Sequence, residues 1–359
     1  MKLTSHSLGT DADPHPGYIT AGEIHHQPIL WLDTFARMRT KSRPGWAERC
    51  GIICGAGTSA YAAGAIQAAW PASRAVATTD LLTDSRPLQR ADFLLSLARS
   101  GDSPESIGVV ELARQQFPGL PQFAITCNAR GKLAGDKQVE VLLLDERTND
   151  RSLVMTSSFS NLVLAGLCLS HPEVFLRHLP SICRHMEEQL PGFDALARAI
   201  VVKRPGRAVV LASSPLFSWA QESCLKILEM SAGRIATMPE TYLGLRHGPM
   251  SFLDRETLVL CLISNDPKRR LYEADLIQEL KEKELGRIIC MMPPDFHCEG
   301  IDTRVSAAAP ELADEFRTPF EIVFPQLLAY HLSLAMGLNP DNPSPGGIIN
   351  RVVNGVKLY

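Results

Sequence analysis

The 359-residue chain has no uninterrupted run of about 18 apolar residues, and so no candidate membrane-spanning helix. Its leading residues, MKLTSHSLGTDADPHPG, lack the apolar centre of a secretory signal. Charge of one sign is not in excess: 36 basic residues face 39 acidic ones, with no long run of either. A dedicated nucleic-acid binder normally presents a basic face, so neither nucleic acid nor membrane is an expected partner. A small anion held by backbone amides is compatible with this charge balance. No G-x-x-x-x-G-K-[ST] loop occurs, and GAGTSA lacks the third glycine of a dinucleotide fingerprint. Zinc-knuckle spacing is also missing between Cys50 and Cys54. The nine cysteines are scattered, most of them in apolar runs such as VLCLI, which suits buried thiols in a reducing cytoplasm. Cys290, His297 and Cys298 read as core thiols beside one surface histidine, so no metal and no other cofactor is expected.

What is present is ordinary globular material, 45% hydrophobic and 21% charged, enough for two domains at roughly 100–200 residues each. Residues 1–45 read as a flexible segment followed by a helical arm. In that arm Thr20 and Glu23 form a capping-box pattern, and 28–39 predicts a helix. Strand–loop–helix units follow. Residues 51–54 lead into GAGTS and AYAAGAIQAAW; 93–97 lead into ARSGDSPES and IGVVELARQQ; 122–126 open a third unit. A diverged copy starts at 208–211, continues through ASSPLFSW and AQESCLKILEMSAG, and has further strands at 258–263 and 288–290. The pattern predicts an α/β protein of two tandem domains, each with a mainly parallel sheet and helices on both faces. The expected divisions are 1–45, 46–191, 192–340 and a Pro- and Gly-rich tail at 341–359, with a linker at Leu190-Pro191-Gly192.

Open parallel sheets bind ligands beyond the carboxyl ends of their strands. Two loops there stand out: Gly57, Thr58 and Ser59 in GAGTS, and Ser100, Gly101 and Ser103 in ARSGDS. Both precede helices, whose free N–H groups and positive dipole ends favour an anion, and the hydroxyls add donors. One such loop alone would be an ordinary cap; two after successive strands point to a phosphate cradle. Thr156 and Ser157, in MTSSFS, are expected to close over the same ligand. The second copy keeps Ser213-Ser214 but has SNDP at 264–267, so the two halves do different work.

The second copy carries acid–base groups instead. Glu222, Lys226 and Glu229 lie at i, i+4 and i+7 on one helix face. Their apolar neighbours Leu225, Ile227, Leu228 and Met230 place them at a cleft rim rather than on an open surface. His247, in the RHGP loop, is a candidate proton-transfer group because imidazole titrates near neutrality.

In order, these motifs resemble the double-SIS (sugar isomerase) proteins. GAGTS, ARSGDS, the Glu222/Lys226/Glu229 helix and His247-Gly248-Pro249 echo the hydroxyl loops, the E-x-x-x-K-x-x-E helix and the HGP loop in the isomerase half of glucosamine-6-phosphate synthase. SLARSGDSPES, ITCN, LASSPL, the LRHGP loop and the DNPSP…NRVVNGV tail are more specifically similar to the tagatose-6-phosphate ketose/aldose isomerase, or galactosamine-6-phosphate deaminase, family, over about residues 25–359. The resemblance implies three-layer αβα SIS domains, no metal, and a hexosamine or ketohexose 6-phosphate bound between domains. It also implies a homodimer or larger homo-oligomer in which the HGP histidine reaches the neighbouring subunit's site. Two departures matter. The family's serine–glutamine pair is Ala98-Arg99 here, and the synthase's C-terminal lysine region reads Asn350-Arg351-Val352-Val353, with Lys357 beyond it. Arg351 and Lys357 are both candidates for the site. The opening Met-Lys-Leu, in place of a cysteine nucleophile, carries the expectation that no glutaminase half is present.

The activity so implied converts D-galactosamine 6-phosphate to D-tagatose 6-phosphate and ammonia. Glu229 would move a proton from C2 to C1, His247 would assist ring opening, and Lys226 and Glu222 would orient Glu229 or stabilise developing charge. Two alternatives stand beside it: aldose–ketose isomerisation without deamination, and a non-catalytic sugar-phosphate sensor. Such sensors usually carry a DNA-binding helix-turn-helix, for which the first 45 residues are short, and would not need the acid–base helix.

Overall fold

Residues along the central strands alternate between two cores. In β1 (Gly51–Gly55), Ile53 joins one hydrophobic cluster while Ile52 and Cys54 join another on the opposite face. In β6 (Arg207–Ala212), Ala208 and Val210 join that first cluster too, whereas Val209 and Leu211 face away. The period-two side-chain alternation of a strand thus makes each sheet the centre of three layers. The cluster containing Ile53 and Val210 is the layer both sheets share. The computed structural model describes residues 17–42, 45–353 and 355–358; the expected flexible segment lies, apart from Gly17, outside them.

Sheet one comprises β1, β2 (Arg74–Ala77), β3 (Phe93–Ala98), β4 (Gln122–Thr126) and β5 (Glu140–Leu143), in the order β2-β1-β3-β4-β5. Sheet two comprises β6, β7 (Ala236–Glu240), β8 (Leu258–Leu262), β9 (Arg287–Met292) and β10 (Thr303–Ser306), in the order β10-β9-β8-β6-β7. All pairings are parallel, and both sheets follow one topology. Sequence reading finds the buried strands and misses the edges β2, β5, β7 and β10. Those are short and half exposed, and so carry no apolar run.

Helices Thr58–Gln67, Ser157–Ser170, Phe217–Met230 and Val323–Ala335 fill the shared layer. The first and third cross closely: a Cβ built on Gly64 would lie 2.5 Å from Ser218 Oγ. Only small residues permit that approach, and it carries the start of one helix to the acid–base face of the other.

Two expectations need correction. The linker placed at Leu190-Pro191-Gly192, and with it the 191/192 boundary, falls inside a single 29-residue helix, Pro172–Ile200. Its buried stripe of Leu179, Ile182, Met186, Leu190, Phe193 and Ala197 continues across Pro191 and outweighs the lost backbone bond. The Thr20/Glu23 capping box does not form. Asp341, from the tail, accepts bonds from the Ile19 and Thr20 backbone N–H groups at 3.0 and 2.8 Å. Glu23 instead receives the backbone N–H groups of Arg151 and Ser152, at 2.5 and 3.3 Å.

In each sheet the strand order reverses beside the first strand, which is where a ligand crevice forms. At the β6/β8 reversal the loops turn inward. Ser213 Oγ and Ser264 N donate to the Glu273 carboxylate at 2.6 and 2.9 Å. The buried Arg317 spans Asp314, Glu321 and the Ile263 carbonyl at 3.0, 3.1 and 2.8 Å. Burial pushes the Glu273 carboxyl up to about 7 despite its hydrogen bonds to Ser213 and Ser264. A carboxyl with a raised folded-state pKa binds its proton more tightly in the native protein, so stability falls as pH rises between about 4.5 and about 7. The urea midpoint is therefore expected to be higher at pH 5 than at pH 8, and Glu273→Gln to narrow that difference. An unchanged difference would contradict the assignment to Glu273.

Candidate active site

β1 and β3 are neighbours, and each feeds a helix whose first turn opens on one cleft of about 260 Å³. Gly57 and Gly101, at φ 56° and 67°, take the left-handed backbone that these tight exits require. Thr58 and Ser59 begin the first helix; Ser103 caps the second (Pro104–Gln116), accepting the Ser106 N–H at 3.3 Å. β4 braces the second loop. Asn128 of ITCN donates to the Ser100 carbonyl at 2.9 Å, and Asp102 accepts the Lys132 N–H at 2.9 Å. Gly57, Thr58, Ser59, Ser100, Gly101 and Ser103 all line the cleft. Two helix N-termini and several hydroxyls converging on one space make a site for a phosphate-sized anion.

On the opposite wall stands Glu229, whose side chain is 29% exposed. Lys226 Nζ lies 2.7 Å from Glu229 Oε2 and 3.2 Å from Glu222 Oε1, and donates to Thr58 Oγ1 at 3.0 Å. The rim position expected for all three charges holds only for Glu229. Lys226 and Glu222 are fully buried, because their side chains enter the shared layer beneath the cleft. Burial pulls the Lys226 ammonium down, but the flanking carboxylates more than offset it and hold the group above its ordinary value. Burial pushes Glu222 up to about 7, against the attraction of Lys226. Its Oε2 takes no hydrogen bond among the described residues. The Glu222 carboxyl thus sits directly behind the Lys226 ammonium, buried with it.

Thr156 and Ser157 do not face the cleft. Both are buried, and their N–H and O–H groups converge on Asp150: Thr156 N at 2.7 Å, Ser157 Oγ at 2.7 Å and Ser158 N at 2.9 Å. The anion this cluster holds is a carboxylate of the chain itself. Arg351 does reach the cleft wall, donating to the Asp150 carbonyl at 2.8 Å and to Asn149 Oδ1 at 2.6 Å. Lys357 lies elsewhere, in a groove with Thr79, Glu105 and Gln116. His247 is exposed and does not line the cleft; Arg246 pins its loop to helix Pro267–Glu282 through Glu279 and Asp275, both at 2.6 Å. Sequence reasoning missed Asp150, Glu105 and Met155. An Asp six residues ahead of a hydroxyl-rich helix start is the capping signal that marks Asp150 in sequence.

Among the described residues no group of three His, Cys, Asp or Glu side chains is disposed to hold a metal ion. All nine cysteines are free thiols, and no helix is long and apolar enough to cross a membrane.

No family model matches the chain. Curated relatives do. It is 36% identical to the D-galactosamine-6-phosphate deaminase AgaS of Shewanella sp. (strain ANA-3), over 95% of this chain and 91% of that one. It is 33% identical to the D-galactosamine-6-phosphate deaminase AgaS of Escherichia coli O157:H7, over 98% of both. The solved tagatose-6-phosphate ketose/aldose isomerase from Escherichia coli superposes with a TM-score of 0.84 at 30% identity, over 98% of this chain and 99% of that one. The C-terminal domain of glucosamine-fructose-6-phosphate aminotransferase from Francisella tularensis, at 15% identity and a TM-score of 0.71 over 89% of this chain and 97% of that one, shares the fold. With two parallel sheets of one topology and full-length relatives at this identity, the chain belongs to the SIS-fold family of AgaS D-galactosamine-6-phosphate deaminases and tagatose-6-phosphate ketose/aldose isomerases.

Proposed function

We propose that this chain converts D-galactosamine 6-phosphate and water to D-tagatose 6-phosphate and ammonia, with Glu229 carrying the proton. The observation that carries this reading is the Glu229 carboxylate, open to the cleft on one side and held 2.7 Å from a buried ammonium on the other. The cradle of Gly57, Thr58, Ser59, Ser100, Gly101 and Ser103 would hold the phosphate and fix the far end of the open-chain sugar. Glu229 takes the C2 proton, and the electron pair moves to form an enolamine. The same carboxyl returns the proton to C1, which leaves a ketimine at C2. Water adds there, and ammonia leaves. Lys226 orients the Glu229 carboxylate from behind, through their 2.7 Å contact, and its charge favours negative charge developing nearby. Glu222 positions Lys226. Among the described residues the cleft lining contains no imidazole, and ring opening is assigned to His247 of a neighbouring subunit in a homodimer or larger assembly.

Ammonia release from D-galactosamine 6-phosphate, with the gluco epimer and tagatose 6-phosphate alongside, tests the reaction. Ammonia together with a ketose 6-phosphate is expected. Interconversion of tagatose 6-phosphate with an aldose phosphate, without ammonia, would replace deamination by isomerisation.

Glu229→Gln is expected to lower kcat by about 10²–10⁴-fold while KM stays within a few-fold, the loss typical of a positioned base. Turnover near the parent value would remove Glu229 from that role. Lys226→Met leaves a buried carboxylate unpaired and is expected to lose activity and about 3 kcal/mol of stability, read by urea unfolding. His247→Ala and Glu229→Gln are each expected to be inactive, yet to regain activity when the two are refolded together. Absence of such complementation would place the histidine in its own chain's site or outside any site.

A further inference from the structure

Arg99 is a buried cation that makes no ion pair with a carboxylate among the described residues, although the charges of Asp150 and Glu229 reach it. Its Nη1 donates to the Ser152 and Leu153 carbonyls at 3.3 and 3.1 Å, and its Nη2 to the Arg351 carbonyl at 2.7 Å. A guanidinium has five N–H donors, and two of these take no acceptor among the described residues. The side chain lines the cleft beside Ser100 and faces the second cationic wall residue, Arg351. Burial, with the charge of Arg351 adding to it, holds the Arg99 guanidinium down at about 10. Two like charges set this close in a partly dry cleft repel each other, and an anion between the loops removes the repulsion.

Besides Arg99, the segment it holds is fixed chiefly by its own Arg351 side chain. Tail residues 349–353 cross the cleft, yet no backbone N–H from 350 to 353 donates a hydrogen bond among the described residues. The anchors lie at either end. Asp341 caps the first helix, and Leu358 rests on Gly108, where a built Cβ would lie 2.6 Å from its Cδ1. Between them, the Arg99–Arg351 carbonyl bond and the Arg351 side chain on Asp150 and Asn149 tie the crossing to the cleft wall.

We propose that Arg99 is a positioning residue that makes closure of the 349–353 segment depend on the phosphate of the substrate. An anion in the cradle neutralises the arginine pair, and Arg99 then fixes the Arg351 carbonyl and with it the strap over the bound sugar. Selection for a phosphorylated over a neutral hexosamine follows from the same bond. The inference rests on the reading of 57–59 and 100–103 as a phosphate cradle.

Backbone hydrogen exchange of the full-length protein, with and without saturating inorganic phosphate, separates the two claims. In the parent, phosphate is expected to slow exchange in both cradle loops and, by tenfold or more, in 350–353. In Arg99→Gln the loops still slow and the strap does not. Arg99→Lys keeps the charge but loses the two-sided grip, and is expected to lose most of the strap protection; it serves as the variant if Arg99→Gln does not fold. Equal strap protection in parent and variant, or parent loops that slow without the strap, would overturn the role of Arg99. Parent loops that do not respond to phosphate would overturn the cradle itself, and the strap proposal with it.

Discussion

The Lys226 ammonium has no exposed surface, and the contacts between the two halves of the cleft converge on it. Removing an ammonium from water is expensive, and one carboxylate seldom compensates for it. Here two do, from the same helix, and a threonine hydroxyl from the other sheet's first loop takes a third contact. That third contact exists only because Gly64 and Ser218 let the two helices cross closely. The two hydroxyl-rich loops and the helix that bears Glu229 are thereby held in one frame. In the proposed reaction that frame positions the reacting end of the sugar phosphate.

The two halves share a topology and have divided the work. At the first strand-order reversal the loops face a cleft. At the second, comparable serines bind Glu273, and Arg317 closes the system through Asp314 and Glu321. The Asp150 cluster shows the same physics. Hydroxyls and N–H groups at a helix start collect an anion, whether it comes from a ligand or from a side chain six residues away. A hydroxyl-rich helix start in sequence is therefore evidence for an anion, and does not say whose.

This explains how much was legible beforehand. The central strands were readable because a strand buried on both faces is an apolar run. The cradle loops and the Glu222/Lys226/Glu229 face were readable because their geometry is local, fixed by spacing alone. What sequence could not supply was partnership over distance. Thr156 and Ser157 look like ligand donors in sequence because the local pattern alone does not pair them with Asp150. Lys226 was put at a rim because burial depends on a helix more than 150 residues away in sequence. Pro191-Gly192 looked like a hinge because the buried stripe of its helix runs on both sides of it. Of Arg351 and Lys357, the first lines the cleft and the second a separate groove, because of where the tail crosses, which no local pattern encodes.

The central claim is that Glu229 takes a proton from C2 and delivers it to C1. D-Galactosamine 6-phosphate deuterated at C2 tests it directly, with the ketose product read by NMR. The account predicts loss of the label from C2 and its appearance, in part, at C1, with the remainder exchanged to solvent through the Glu229 carboxyl. In Glu229→Gln the release of deuterium from C2 is expected to slow along with turnover; release at the parent rate in that variant would contradict the mechanism.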